Sequence, residues 1–253
     1  MTTAFNGLEF FERVYGQVPD WVAKMHHFAP KALEYYTKLR GEILVDGALS
    51  KKEKELILVG INAARRYERS MIYHTKGALD SGATIAEIAD VLATCIISRG
   101  IPAWFTGVNA IEYAISYVGE SMAAELNAAP PLDEESFFAS LTDYNGYYEK
   151  ETGGEIPNWV KVLNQFNPSV LERYTDLRRT VLKDHVVTRK LKELVLVGIN
   201  VAEMYPKGIE LHTKGAKKCG ATEAEIADVS LVALLTAGIP AWFEGSDFLS
   251  IEK

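Results

Sequence analysis

The chain repeats itself. His-Thr-Lys-Gly-Ala occurs at 74–78 and again at 212–216, 138 residues apart. The same offset carries Leu58-Val59-Gly60-Ile61-Asn62 onto 196–200 and Glu87-Ile88-Ala89-Asp90-Val91 onto 225–229. It also carries Gly100-Ile101-Pro102-Ala103-Trp104-Phe105 onto 238–243. From Pro19 and Pro157 to Phe105 and Phe243 the register holds without a gap. Ahead of Pro19 the second copy has one extra residue, so Phe10-Phe11-Glu12 aligns with Tyr147-Tyr148-Glu149. A tandem duplication restricts the fold to two copies of one unit, packed across a pseudo-twofold axis as a fused dimer would be, and any site has to be sought twice.

The unit reads as helix throughout. Leu56, Val59 and Ala63, with Leu58 and Ile61, recur at helical spacing, and no sustained period-2 alternation competes. Ser50-Lys51-Lys52-Glu53 is a capping box that opens a helix, and Thr84–Glu87 and Thr222–Glu225 have the same form. Gly82 and Gly220 stand where a left-handed residue would end the preceding helix. Pro30 and Pro168 fit the first turn of helices running to about Val45 and Lys183, and Pro206 fits the start of the second His-Thr-Lys helix. Each copy gives about six helices, the first being a short N-terminal one. Pro130 and Pro131 remove two backbone donors and disfavour helix. The division is therefore a first repeat over 1–126, a linker over 127–135 and a second repeat over 136–253.

The net charge of −7 argues against nucleic acid as the main partner, because phosphate binding needs a basic face. The longest apolar run, near 229–238, is too short to span a bilayer, so no membrane partner is expected. No apolar stretch follows Met1, so no signal peptide is expected. Cys95 and Cys219 form no CxxC pair and do not occupy equivalent positions. They read as incidental thiols in a reducing compartment, the cytoplasm. No metal-ligand motif is present, and no cofactor is expected.

Chemistry concentrates around the repeated histidines. In a helix over about 69–81, Ser70 and His74 are neighbours on one face, with Tyr67 one turn back at its start. The second copy places Tyr205, Gly208 and His212 there. Glu55 and Glu193 lie on the preceding helix, where a tight junction could bring their carboxylates to the histidines. Gly208 would open space one turn from His212, whereas Ser70 and Met71 would fill it, so the two sites are expected to differ. His26 and His27 have no counterpart in the other copy and read as surface.

The order Lys-Glu-Leu, apolar helix, histidine helix ending in Gly-Ala-Thr, then Glu-Ile-Ala-Asp-Val resembles the carboxymuconolactone decarboxylase and AhpD-like superfamily over about 19–115 and 157–250. Gly-Ile-Pro-Ala is similar to the Gly-Val-Pro-Ala segment of the decarboxylase branch. The resemblance implies an all-α fold of two AhpD-like repeats and self-association into a homo-oligomer, a trimer. The peroxidase branch has Cys-x-x-Cys-x-x-x-His, and here Tyr67 and Ser70, or Tyr205 and Gly208, stand at the cysteine positions. A thiolate is the nucleophile in peroxide chemistry, and these side chains do not replace it.

The resemblance implies catalytic roles for His74, His212, Glu55 and Glu193 in proton transfer. The function expected is a cofactor-independent lyase or decarboxylase on a small carboxylate-bearing, lactone or aromatic-derived molecule. Histidine would protonate the carbanion left by CO2. Arg69, with Arg65 and Arg66, or Lys207 would hold the acid group. Tyr67, Ser70 and Tyr205 would contact substrate, with the tyrosines donating to a developing enolate oxygen. Trp104 and Trp242 would wall an apolar pocket. The alternatives are a thiol-dependent peroxidase, disfavoured by the missing cysteines, and a non-catalytic ligand-binding or assembly protein.

Overall fold

The computed structural model describes residues 7–126, 128–129 and 141–250. Among these, fifteen helices and no strand are found. The first copy contributes α1 (Gly7–Tyr15), α2 (Asp20–Phe28), α3 (Pro30–Ile43), α4 (Lys51–Ala64), α5 (Glu68–Asp80), α6 (Ile85–Arg99), α7 (Ile101–Val118) and α8 (Glu120–Leu126). The second contributes α9 (Tyr144–Thr152), α10 (Asn158–Phe166), α11 (Pro168–Leu182), α12 (Arg189–Ala202), α13 (Pro206–Lys218), α14 (Glu223–Ala237) and α15 (Ile239–Ser246). The expected linker lies outside the described residues except for Ala128 and Ala129.

The expected stop and start signals act as the sequence implies. Ser50, Thr84 and Thr222 accept from the backbone N–H of Glu53, Glu87 and Glu225, whose carboxylates reach back to the cap N–H groups. Gly82 and Gly220 take φ of 85° and 88°, the left-handed region that favours glycine. The short N-terminal helix expected in each copy is in fact two. Gly16 (φ 75°) and Pro19 separate α1 from α2, and Gly153 (φ 85°), Gly154 and Pro157 separate α9 from α10.

The halves share one core. Every residue from 54 to 64 on α4 and from 191 to 202 on α12 is buried. A helix apolar on all sides belongs at the centre of a structure, and α4 and α12 cross there. Gly60 and Gly198 allow the approach: a Cβ on Gly60 would stand 2.8 Å from Val195 Cγ1. Helix α6 packs on α12 of the other half, and α14 packs on α4. Smaller clusters recur outside this core, Phe11, Val22 and Leu33 in the first half and Tyr148, Val160 and Leu171 in the second.

Reciprocal charge pairs confirm the pseudo-twofold relation. Lys54 on α4 meets Asp228 on α14 at 3.0 Å, and Lys192 on α12 meets Asp90 on α6 at 2.9 Å. The same aspartates accept from the Leu49 and Val187 backbone N–H groups, each at 3.0 Å. A residue i contacting j while its copy contacts the copy of j is the signature of an isologous interface.

Candidate active site

The repeated peptide builds a buried carboxylate–imidazole pair in each half. His74 Nδ1 lies 2.7 Å from Glu55 Oε2, and His212 Nδ1 lies 2.8 Å from Glu193 Oε2. The glycine of His-Thr-Lys-Gly makes room for the glutamate. A Cβ on Gly77 would stand 2.6 Å from Glu55 Cδ, and one on Gly215 would stand 2.7 Å from Glu193 Cδ. The missing side chain is therefore the space the carboxylate occupies.

Burial pushes the Glu193 carboxyl up, but its hydrogen bond to His212 and the charges of His212, Arg178 and Arg189 outweigh burial and hold it below its ordinary value. Glu193 is thus ionised and acceptor-only, so His212 Nδ1 is the donor and Nε2 is left to exchange a proton. Among the described residues nothing hydrogen-bonds to that Nε2.

Beyond this shared pair the halves diverge. In the first half the Tyr15 ring packs 4.6 Å from the Tyr73 ring, and the Tyr15 hydroxyl accepts from Arg40 at 3.0 Å. Burial, with the Arg40 charge opposing it, pushes that hydroxyl up to about 12. The equivalent positions in the second half are Thr152 and Leu211, which are smaller, and both line a cavity of about 1050 Å3. His212 and Arg178 also line it, with Tyr148, Trp159 and Tyr174 forming an aromatic cluster at its side. Behind His212 stands a charge network: Arg178 and Arg189 both bond Glu151, and Arg189 lies 3.4 Å from Glu193.

The contact between halves diverges in the same sense. Thr236 on α14 donates to Asn62 Oδ1 at 3.1 Å, and Arg65 donates to the Thr236 carbonyl at 2.6 Å. These bonds tie the end of α14 to the end of α4. The counterpart of Arg65 is Glu203, which supplies no such donor. Ser98 and Asn200, the counterparts of Thr236 and Asn62, line the cavity instead.

Of the residues singled out from sequence, the cavity gathers His212, Tyr205 and Lys207, with Glu193 behind the histidine. It does not gather Trp104 or Trp242. Trp104 packs against the main core, at the start of a helix that lies against both α5 and α6. Tyr67 and Tyr205 are the N-cap residues of α5 and α13 and are about half exposed. Arg69 is exposed, and Arg65 is drawn into the contact between halves. Two spatial expectations are corrected. Met71 does not fill the first site; it is core, as its copy Ile209 is. Gly208 lines the cavity but does not itself create the space, since a Cβ there would stand 2.3 Å from Asn200 Oδ1. His26 and His27 are exposed, as expected.

Sequence reasoning missed Arg40 and Arg178. The signal was available: Tyr36-Thr37-Lys38-Leu39-Arg40 recurs as Tyr174-Thr175-Asp176-Leu177-Arg178 at the common offset. It also missed Glu151 and Arg189, whose counterparts Val14 and Lys51 do not repeat the charge pair.

Cys95 is buried among core residues, its Sγ 3.4 Å from the Gly60 and Val91 carbonyls, and burial pushes it up to about 12. Burial also raises Cys219, at the end of α13. Among the described residues no group of His, Cys, Asp and Glu is disposed to hold a metal ion, and no helix is long and apolar enough to cross a membrane.

Fold and site together define an all-α protein of two helical repeats, each with a buried glutamate–histidine pair. The chain belongs to the carboxymuconolactone decarboxylase family, which residues 30–113 and 168–249 both match. It is similar to two uncharacterized proteins of Methanocaldococcus jannaschii. One is 33% identical over 91 residues, covering 36% of this chain and 88% of the relative. The other is 32% identical over 82 residues, covering 32% of this chain and 77% of the relative. A solved structure from Burkholderia xenovorans, of a proposed gamma-carboxymuconolactone decarboxylase subunit, superposes with a TM-score of 0.64 at 22% identity. The match covers 94% of this chain and 93% of that one, and it speaks to the fold alone.

Proposed function

We propose that the chain is a cofactor-independent lyase that decarboxylates a small ring-bearing acid in the cavity of its second half. The observation that carries this is the Glu193–His212 pair at the wall of that cavity, with Arg178 and Lys207 among the lining residues. The family's name points to the same chemistry. Aromatic walls suit a planar ring, and about 1050 Å3 holds a ligand of drug-like size or smaller.

The steps follow from the groups present. The substrate carboxylate leaves as CO2, and the bonding pair stays on carbon as a carbanion delocalised into the ring. The imidazolium of His212 gives its Nε2 proton to that carbon, while Glu193 keeps Nδ1–H and the ring orientation. The Tyr205 hydroxyl donates to the developing enolate oxygen. Solvent then returns a proton to Nε2. In the first half, where Tyr15 and Tyr73 replace the cavity-lining Thr152 and Leu211, the His74–Glu55 pair is assigned a structural role.

The test is CO2 release and solvent deuterium incorporation for a set of carboxylated lactones and aromatic acids. His212→Gln should lower turnover by about a hundredfold or more, and His74→Gln should leave it near wild type. Equal losses in the two variants would refute the assignment to the second half.

Self-association belongs to the same proposal. Phe28 and Phe166 are each 80% exposed, and Phe105 and Phe243 are also exposed. Each chain thus presents the same apolar positions twice, which supports a closed homo-oligomer, a trimer of two-repeat chains. Light scattering on the purified chain decides it, and a monomer at micromolar concentration would overturn it.

A further inference from the structure

Arg99 ends α6 of the first half, yet it lines the cavity that holds the second half's histidine. Its guanidinium is poorly satisfied. Nη1 donates only to the adjacent Ser98 carbonyl at 3.0 Å, and Nη2 lies 3.9 Å from Glu203, beyond hydrogen-bond range. Nε is buried with no partner. Glu203 lies nearer to Arg65, at 3.4 Å. The other two guanidiniums near His212 already face carboxylates, Arg178 that of Glu151 and Arg189 those of Glu151 and Glu193, although Arg189 Nε too is buried without a partner and Arg189 does not line the cavity.

An arginine has five donors in a fixed fork, and leaving them unpaired in a partly closed setting is unfavourable. A turn of the side chain toward the cavity gives the fork an acceptor if an oxyanion sits there. The equivalent residue in the second half is Ala237, so α14 offers the first half no such group.

We infer that Arg99 is the oxyanion-binding residue of the second half's cavity, which makes that cavity a composite site built by both halves and used once per chain. This rests on the second half being the working site, and it names what holds the ligand there. The recognised group is a carboxylate or a phosphate attached to a ring, since both match the fork and the walls are aromatic.

The experiment is calorimetric titration of the full chain with benzoate, phenyl phosphate and uncharged benzamide, for wild type, Arg99→Gln, Arg99→Lys and Lys24→Gln. Wild type should bind one or both anions, and the preferred anion identifies the source. Arg99→Gln should weaken anion binding by about tenfold or more while leaving benzamide unchanged and the thermal midpoint close to wild type. Arg99→Lys should restore part of the loss. Lys24→Gln removes an exposed cation that does not line the cavity and should leave anion binding unchanged. Wild-type affinity in Arg99→Gln, equal loss in Lys24→Gln, or no anion binding by wild type would each overturn the inference. The decarboxylation reading is judged separately, by CO2 release in wild type and His212→Gln, so one can fail while the other stands.

Discussion

Replacing Gly215 by alanine should destabilise the protein, although Gly→Ala in a helix ordinarily stabilises it by about 1 kcal/mol. The new Cβ would stand 2.7 Å from both Glu193 Cδ and Oε2, whereas ordinary contact begins at 3.4 Å. The carboxylate must withdraw by about 0.7 Å, which stretches its 2.8 Å bond to His212 to about 3.5 Å, outside hydrogen-bond range. Breaking a buried charged pair costs about 3–5 kcal/mol, and the helix gain offsets at most about 1 kcal/mol of it. The net loss is about 2–4 kcal/mol. Gly41 on α3 is the control, because nothing lies within 4 Å of a Cβ there; Gly41→Ala should be neutral or slightly stabilising. Urea unfolding followed by circular dichroism measures both, provided the m-values agree. If Gly215→Ala matched or exceeded wild-type stability, the idea that this glycine exists to admit the glutamate would be wrong.

Three further outcomes are expected. The folded-state Glu193 carboxyl is held below its ordinary value, so its contribution is complete above the unfolded value of about 4.3 and is lost as pH falls through the lower folded value. The stability gap between wild type and Glu193→Gln should therefore narrow as urea titrations are taken from pH 6 down to pH 3, and a gap that widened would contradict the sign. Asp228→Ala takes the counter-charge from the 3%-exposed Lys54 ammonium, which keeps only the Ile43 and Val45 carbonyls, and the acceptor from the Leu49 N–H, and should cost about 3 kcal/mol or more. Asp228→Asn keeps an acceptor for the Leu49 N–H and should cost less than Asp228→Ala, as read by thermal and chemical unfolding. In native protein a thiol reagent should modify Cys219 well before Cys95, which is fully enclosed; simultaneous reaction of both would argue that the shared core opens readily.

Part of the candidate site is legible in the amino-acid sequence. The glutamate and histidine stand out because duplication preserves both at fixed spacing, and a helix pair can bring such residues together. Arg178 is equally preserved in its Tyr-Thr-x-Leu-Arg repeat, but a repeated spacing alone does not say that α11 leans toward α13. Glu151 and Arg189 have no repeated counterpart to mark them. Trp104 and Trp242 mislead because periodicity places a residue on a face without saying which neighbour covers it.

The sequence by itself determined the helices, their caps and the doubling, because those follow from local hydrogen bonding and from a repeat written into the chain. It also marked the histidines and their glutamates. Only the tertiary structure decided that the halves share one core through the α4–α12 crossing, and that the doubled sites are not alike. Tyr15 packs near Tyr73 in one half, while their counterparts Thr152 and Leu211 line a cavity in the other. Arg99 reaches that opening from the opposite half. These are contacts between residues far apart in the chain, and their outcome depends on how side-chain volumes and charges meet in space.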